Sequence, residues 1–188
     1  TSTTLFYCCN MMNFKTVAVL FLSILAVMLM LNYFIPLGFY PYLVLFILFI
    51  SLLSYGVANI RSNFFIKAIC KAETLEKVIS LTFDDGPAAT TPAILDILKL
   101  YGIKATFFCI GNKIDKNGDI IRRIDDEGHL IGSHSYSHHF WFDVFTFKKI
   151  KDELIKTEAL ISKLTSRKIK LFRPPYGVTN PNVEKAVT

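Results

Sequence analysis

The stretch Val78-Ile79-Ser80-Leu81-Thr82-Phe83-Asp84-Asp85-Gly86-Pro87 decides how this chain reads. Val78–Phe83 is rich in β-branched and aromatic residues and predicts a buried strand. Asp84-Asp85-Gly86-Pro87 then breaks it, because carboxylates, Gly and Pro all favour a turn. Downstream, Thr91-Pro92 has the chemistry of a helix N-cap followed by its first residue, and Gly102 supplies the stop. Ile94, Leu98 and Tyr101 line one face between them. Lys104–Ile110 predicts a second strand, Asp119–Glu127 a helix closed by Gly128, and His129–Gly132 a short third strand. Thr146–Leu164 predicts a helix with Ile150, Leu154, Ile161 and Leu164 on one stripe, and Ile169–Phe172 a fourth strand. Strands alternating with helices point to βαβ units, and so to a parallel α/β sheet or barrel.

Three polar clusters follow three of those strands: Asp84-Asp85-Gly86, His134-Ser135-Tyr136-Ser137-His138, and Arg173-Pro174-Pro175-Tyr176. In parallel α/β barrels the loops beyond the C-terminal ends of the strands carry the chemistry, so all three are expected on one face. Each has a plain reading alone. Asp-Asp-Gly-Pro is an ordinary turn, two His four apart occur by chance on surfaces, and Arg-Pro-Pro is a stiff extended loop. Together they offer one carboxylate and two imidazoles, a three-ligand divalent-metal site with room for water, the open arrangement of catalytic zinc. The second carboxylate can serve as general base and the Arg can hold and orient it.

The N-terminal third has a different character. The 188 residues are 52% apolar and 19% charged, and no charged residue lies between Lys15 and Arg61. The mean hydropathy of +0.42 is high for a wholly soluble globule. Residues 16–35 make one apolar run, Pro36-Leu37-Gly38 interrupts it, and residues 40–58 make another. At about 1.5 Å per residue, a helix over the first run crosses roughly 30 Å, one hydrocarbon core. Tyr33, Tyr40, Tyr42 and Tyr55 near the run ends suit membrane interfaces. The expectation is a transmembrane helical hairpin in contact with membrane lipid, after a tail (1–15) and before a juxtamembrane linker (59–76). A cleaved signal peptide followed by a core helix fits less well, since no small-x-small site follows the first run. A hairpin puts Lys15 and the Arg61/Lys67/Lys71 group on one side, which the positive-inside rule makes cytoplasmic. A first span that is cleaved or fails to cross would instead leave the C-terminal part outside.

Composition excludes other classes. The apolar excess excludes intrinsic disorder, and four Cys exclude a disulfide scaffold. Cys70 and Cys109 stand alone without metal or redox spacing, while Cys8-Cys9 are candidates for acylation. The chain opens on Thr1 with Met11-Met12 before the apolar run, so residues 1–10 are read as an extension foreign to the natural protein. Residues 77–188 carry 17 basic and 13 acidic side chains, spread along the predicted helices. With no aromatic-interleaved basic cluster, nucleic acid is not an expected partner.

Residues 77–188 resemble the polysaccharide deacetylases, the NodB-homology carbohydrate esterases. Thr82–Pro87 looks like their first motif, His134–His138 like their His-(Ser/Thr)-x-x-His motif, and Phe172–Gly177 like their third. Lys104–Gly111 and Glu127-Gly128-His129 also fit in order and spacing. The resemblance implies a partial distorted (β/α) barrel in which Asp85, His134 and His138 hold a divalent metal, most often zinc. Asp84 would be the catalytic base, Arg173 its positioner, and the Tyr176 backbone N–H a donor to the oxyanion. It implies hydrolysis of acetyl groups, N-acetyl ahead of O-acetyl, from a carbohydrate polymer. His139 stands where the family often has Pro and is read as an exposed neighbour; His129 is read as structural. The family's last motif supplies a His as general acid. After Arg173 this sequence offers only Tyr176 and Glu184, so the resemblance implies a longer enzyme of which these residues are part. The rival from another class is a non-catalytic, membrane-tethered glycan-binding relative. A purely structural membrane hairpin with a soluble tail leaves the three ordered clusters unexplained. Phe140, Trp141 and Phe142 are candidates for a sugar-stacking platform, against the plainer reading of core packing.

Overall fold

A computed structural model describes residues 5–7, 13–72, 74–165 and 167–187. Cys8 and Cys9, the candidates for acylation, lie outside the described residues. The chain divides into two compact units, the second comprising Thr74–Gly177 and resuming at Asn182.

In the first unit, strand β1 (Leu5–Tyr7) precedes helix α1 (Phe14–Phe34). Asn13 caps α1, its side-chain oxygen accepting the Thr16 amide at 3.0 Å. The helix ends before Pro36, where Asn32 accepts the Leu37 amide, and helix α2 (Tyr40–Ala58) returns. Phe21 stacks on Phe49 across the pair at 4.2 Å. Both helices are long and apolar enough to cross a membrane, and only Val17 and Gly56 on them are buried. The stretch expected as a plain linker has structure of its own. It holds a 3-10 turn (Ile60–Ser62) and strand β2 (Ile69–Ala72), antiparallel to β1. Such short strands lack the periodicity that would reveal them in sequence.

The second unit contains strand β3 (Thr82–Gly86), helix α3 (Thr91–Leu100), strand β4 (Thr106–Cys109), helices α4 (Gly111–Ile114) and α5 (Gly118–Asp126), strand β5 (Leu130–Ser133), helix α6 (Phe147–Thr165) and helix α7 (Pro181–Val187). The three strands form a parallel sheet in the order β3-β4-β5, so the α/β expectation holds. Its core is Leu95 and Leu98 of α3, Phe107 and Cys109 of β4, Ile121 and Ile124 of α5 and Ile161 of α6. Burial pushes the Cys109 thiol up to about 12, which keeps it an inert packing group.

The first strand differs from its expected span. Val78 and Ile79 are exposed and outside any strand, while Asp84, Asp85 and Gly86 belong to β3. The Thr82↔Thr106 and Phe83↔Phe107 pairs fix where the ladder begins, and hydrophobicity alone could not. The cap of α3 is Thr90 rather than Thr91, whose hydroxyl accepts the Ala88 amide. On α3, Tyr101 is exposed and Leu95 replaces it on the buried face. The expected fourth strand is reduced to one parallel bridge, Ser133↔Phe172, with Ser133 N–H donating to Leu171 O and Arg173 N–H donating to Ser133 O.

His129 is structural, as expected. It is buried, and its Nδ1 accepts the Ala105 amide at 3.2 Å. Burial, aided by the Lys104 charge, lowers its pKa from the ordinary 6.5 against the pull of Glu127. The unfolded chain therefore binds this proton more readily than the native one does, and protonation favours unfolding. Its stabilising share is complete above about pH 6.5 and is lost as pH falls below that value. Urea midpoints measured from pH 7.5 to 5 should decline, and His129→Gln should flatten the decline. An equal slope in the variant assigns the acid sensitivity elsewhere.

Candidate metal centre and catalytic site

In a parallel sheet the strands end on one side, and here they end at Gly86, Cys109 and Ser133, with Phe172 bridged to Ser133. All three polar clusters begin there. Strand geometry would send consecutive side chains to opposite faces. Asp85 breaks that alternation with φ 63°, and the ladder shifts register between Phe83 and Gly86. A left-handed non-glycine residue costs of order 1–3 kcal/mol and persists only where its surroundings hold it. Here the Asp85 carbonyl accepts the Lys113 ammonium at 2.8 Å. The result is two adjacent carboxylates facing different partners.

Asp85 Oδ1 lies 3.6 Å from His134 Nε2 and 3.2 Å from His138 Nε2. The donor atoms of the three residues all fall within 4.8 Å of one another. Ligands about 2.0–2.1 Å from a tetrahedral ion sit roughly 3.4 Å apart, and the two separations from Asp85 Oδ1 lie close to that value. The donor set, two imidazoles and a carboxylate, also fits. His134 is buried on the end of β5, its amide donating to Cys109 O and its Nδ1 lying 2.7 Å from Arg173 O. With that carbonyl as acceptor, Nδ1 carries the proton and Nε2 is free to ligate. Burial lowers the His134 pKa, which favours the neutral ring a metal requires. His138 is held at φ 48° with its amide donating to Ser135 Oγ at 3.0 Å.

Asp84 faces Arg173 instead. Arg173 Nη1 donates to Asp84 Oδ1 at 2.7 Å and to Thr82 Oγ1 at 3.0 Å. The guanidinium lies over the Phe108 ring, 4.1 Å from its centroid. Phe108 keeps that seat because Gly132 stands beside it on β5; a Cβ there would come within 2.6 Å of the ring. Tyr176 turns the chain with φ 57° in a 3-10 segment, its ring 5.0 Å edge-on to His138.

The six expected residues therefore gather at one end of the sheet in two contiguous groups, Asp85/His134/His138 with Tyr176 alongside, and Asp84/Arg173. His139 lies apart from the three donors, against Phe145. The aromatic expectation divides. Phe142 is 1% exposed in a second core with Phe145, Ile150 and Val183, whereas Phe140 (66%) and Trp141 (59%) are open to solvent. Phe140 packs edge-on to both Trp141 and Tyr176. Five neighbours were missed: Thr82, Phe108, Lys113, Ser135 and Glu153. Ser135 could have been found, since a Ser side chain bonding the amide three residues on is ordinary turn chemistry. Glu153 gave no signal. From α6, 16 and 17 positions away, its Oε2 accepts the Ser137 amide at 2.8 Å, the Ser137 hydroxyl at 3.0 Å and the Tyr136 amide at 3.0 Å.

Paired carboxylates, two histidines and an arginine thus stand together at the C-terminal end of a parallel sheet, a donor set that could hold a metal ion. The sequence model described as polysaccharide deacetylase matches residues 71–188, and the chain belongs to that family. It is 43% identical over 111 residues to a peptidoglycan-N-acetylglucosamine deacetylase of Bacillus cereus, an alignment covering 58% of this chain and 40% of the relative. It is 40% identical over 114 residues to the peptidoglycan-N-acetylmuramic acid deacetylase PdaA of Bacillus subtilis, covering 60% and 43%. The solved structure of peptidoglycan deacetylase PdaC from Bacillus subtilis superposes with a TM-score of 0.57 at 38% identity, covering 60% of this chain and 56% of that one. The chain thus spans about two fifths of the length of these curated relatives.

Proposed function

We propose that this protein is a metal-dependent deacetylase of acetylated carbohydrate, anchored to a membrane by the α1–α2 hairpin. Peptidoglycan-type N-acetyl sugars are the preferred substrate class, because the curated relatives act on them by name. The observation that carries the reading is the Asp85/His134/His138 donor triangle beside the Arg173-held Asp84. Asp85, His134 and His138 would hold the ion, with zinc the best match to the nitrogen and oxygen donors. Such an ion supplies Lewis acidity, polarising a carbonyl oxygen and acidifying a coordinated water.

The chain's own groups do the rest. Arg173 fixes Asp84 so that its carboxylate takes a proton from the attacking water. The new oxygen–carbon bond forms at the acetyl carbonyl, and the Tyr176 N–H donates to the oxyanion that develops. As the oxyanion returns to a carbonyl the carbon–nitrogen bond breaks, the acetyl group leaves as acetic acid, and the proton held by Asp84 passes to the departing nitrogen. Phe140 and Trp141, exposed beside Tyr176, offer apolar faces on which a neighbouring sugar ring can stack. The apolar surface of the hairpin supplies the lipid contact.

The full chain, purified in detergent and dialysed against zinc, should bind one equivalent of metal and release acetate from N-acetylglucosamine oligomers or peptidoglycan. Zinc bound without acetate released favours a non-catalytic glycan-binding relative or an inactive truncated fragment over a working enzyme. No zinc bound removes the reading altogether.

A further inference from the structure

We infer that Glu153 is the positioning residue of the metal centre, holding the loop between its two histidines. The inference rests on the reading of Asp85, His134 and His138 as ligands and adds a residue outside all three motifs.

The loop from His134 to His138 has no helix or strand of its own, yet its backbone is closely accounted for. The amides of Gly111 and Asn112, opening α4, donate to the carbonyls of Ser135 and Tyr136. On the other side the amides of Tyr136 and Ser137 donate to Glu153 Oε2, and the His138 amide to Ser135 Oγ. Every N–H from Tyr136 to His138 therefore has an acceptor, and Glu153 provides two of the three, as well as taking the Ser137 hydroxyl. Charge-assisted bonds of this kind are about twice as strong as neutral ones.

The loop needs such a hold. Ser135 and His138 are both non-glycine residues in the left-handed region, with φ 63° and 48°. Each costs of order 1–3 kcal/mol, so a loop carrying two relaxes unless its surroundings fix it. Relaxation would displace the His138 ring from the Asp85 carboxylate, which lies 3.2 Å away, because within the loop only the Ser135 Oγ bond to the His138 amide opposes it. The backbone of Glu153 is held within α6. Its backbone carbonyl accepts the hydroxyl of buried Thr157 on the next turn of α6. Gly111, facing the other side of the loop, has space only for hydrogen; a Cβ there would meet Tyr136 at 2.5 Å and Thr157 at 2.6 Å. The loop is thus clamped between α4 and α6, with the Glu153 carboxylate as the polar half of the clamp.

The test measures zinc affinity by competition with a chromophoric chelator, and the visible spectrum of the cobalt-substituted full chain, in detergent. Glu153→Ala should weaken zinc about 10–100-fold, the range found when partners behind metal ligands are removed. Glu153→Asp, with its charge intact but its reach one methylene short, should weaken zinc and alter the cobalt spectrum. Glu153→Gln, which keeps an acceptor oxygen in place, should restore most of both. Ile150→Val, a core truncation on the same helix, serves as the stability control and should leave metal binding unchanged. Wild-type affinity and an unaltered cobalt spectrum in Glu153→Asp and Glu153→Ala overturn the inference, even if both variants melt earlier. If Glu153→Ala does not fold, the Asp and Gln variants decide the matter. A wild-type chain that binds no zinc defeats the metal reading instead, so the two failures are distinct.

Discussion

Asp84→Asn should abolish turnover while leaving the metal in place. Asparagine keeps the size and one acceptor oxygen of the side chain, so the contact to Arg173 Nη1 survives as a hydrogen bond from the guanidinium to a neutral amide. Its amide cannot take a proton from water at neutral pH. A positioned general base contributes about 10²–10⁴ in rate, so kcat/KM should fall by that factor. Metal content should stay at the wild-type level because Asp84 is engaged with Arg173, whereas Asp85 Oδ1 meets the two imidazoles. The contrast matters because the two carboxylates are adjacent in sequence, and a generic loss of acidity would predict the same result for either. Parallel loss of metal and activity in Asp84→Asn would make Asp84 a ligand and remove the base from the mechanism.

The different partners of Asp84 and Asp85 were only partly legible in the sequence. The types and order of the six candidate residues could be read, because the three clusters follow strand ends and parallel sheets bring strand ends together. Alternation along a strand would send the two carboxylates to opposite faces; the left-handed conformation at Asp85 departs from it, and residue type alone does not announce that departure. The groups supporting the site were less visible still. Phe108 under Arg173, Lys113 on the Asp85 carbonyl and Glu153 on the histidine loop act through contacts between elements far apart in sequence. No local pattern encodes such contacts. The aromatic run illustrates the same limit. Phe140, Trp141 and Phe142 are alike in chemistry, yet only Phe142 turns into the core with Ile150 and Val183. Val183 belongs to α7, a helix that the sequence reading did not propose. The long helices α1, α2 and α6 were legible because many residues report one periodicity or one unbroken apolar run. The ends of β3 were not, since ladder pairing rather than composition sets them.

His138→Ala should strip the metal without unfolding the chain. Structural zinc sites bind with an apparent 10–16 kcal/mol shared among four ligands, so one ligand accounts for roughly 3–4 kcal/mol, about 10²–10³ in affinity. His138 is a better probe than His134 for a structural reason. His134 is buried, and its Nδ1 satisfies the Arg173 carbonyl; removing it would leave a cavity and an unpaired acceptor beneath the site. The His138 side chain is partly open and lies against Asp85 and the rings of His134 and Tyr176. Alanine at 138 keeps the amide that donates to Ser135 Oγ, so the loop retains that bond. Zinc titration of the variant should therefore show a large loss of affinity at nearly unchanged melting temperature. Acetate release should vanish at wild-type zinc and return in part only when zinc is raised toward the weakened dissociation constant. Undiminished zinc affinity would show that the ion, if bound, is held by other groups, and the donor triangle at the ends of β3 and β5 would lose its claim to the chemistry.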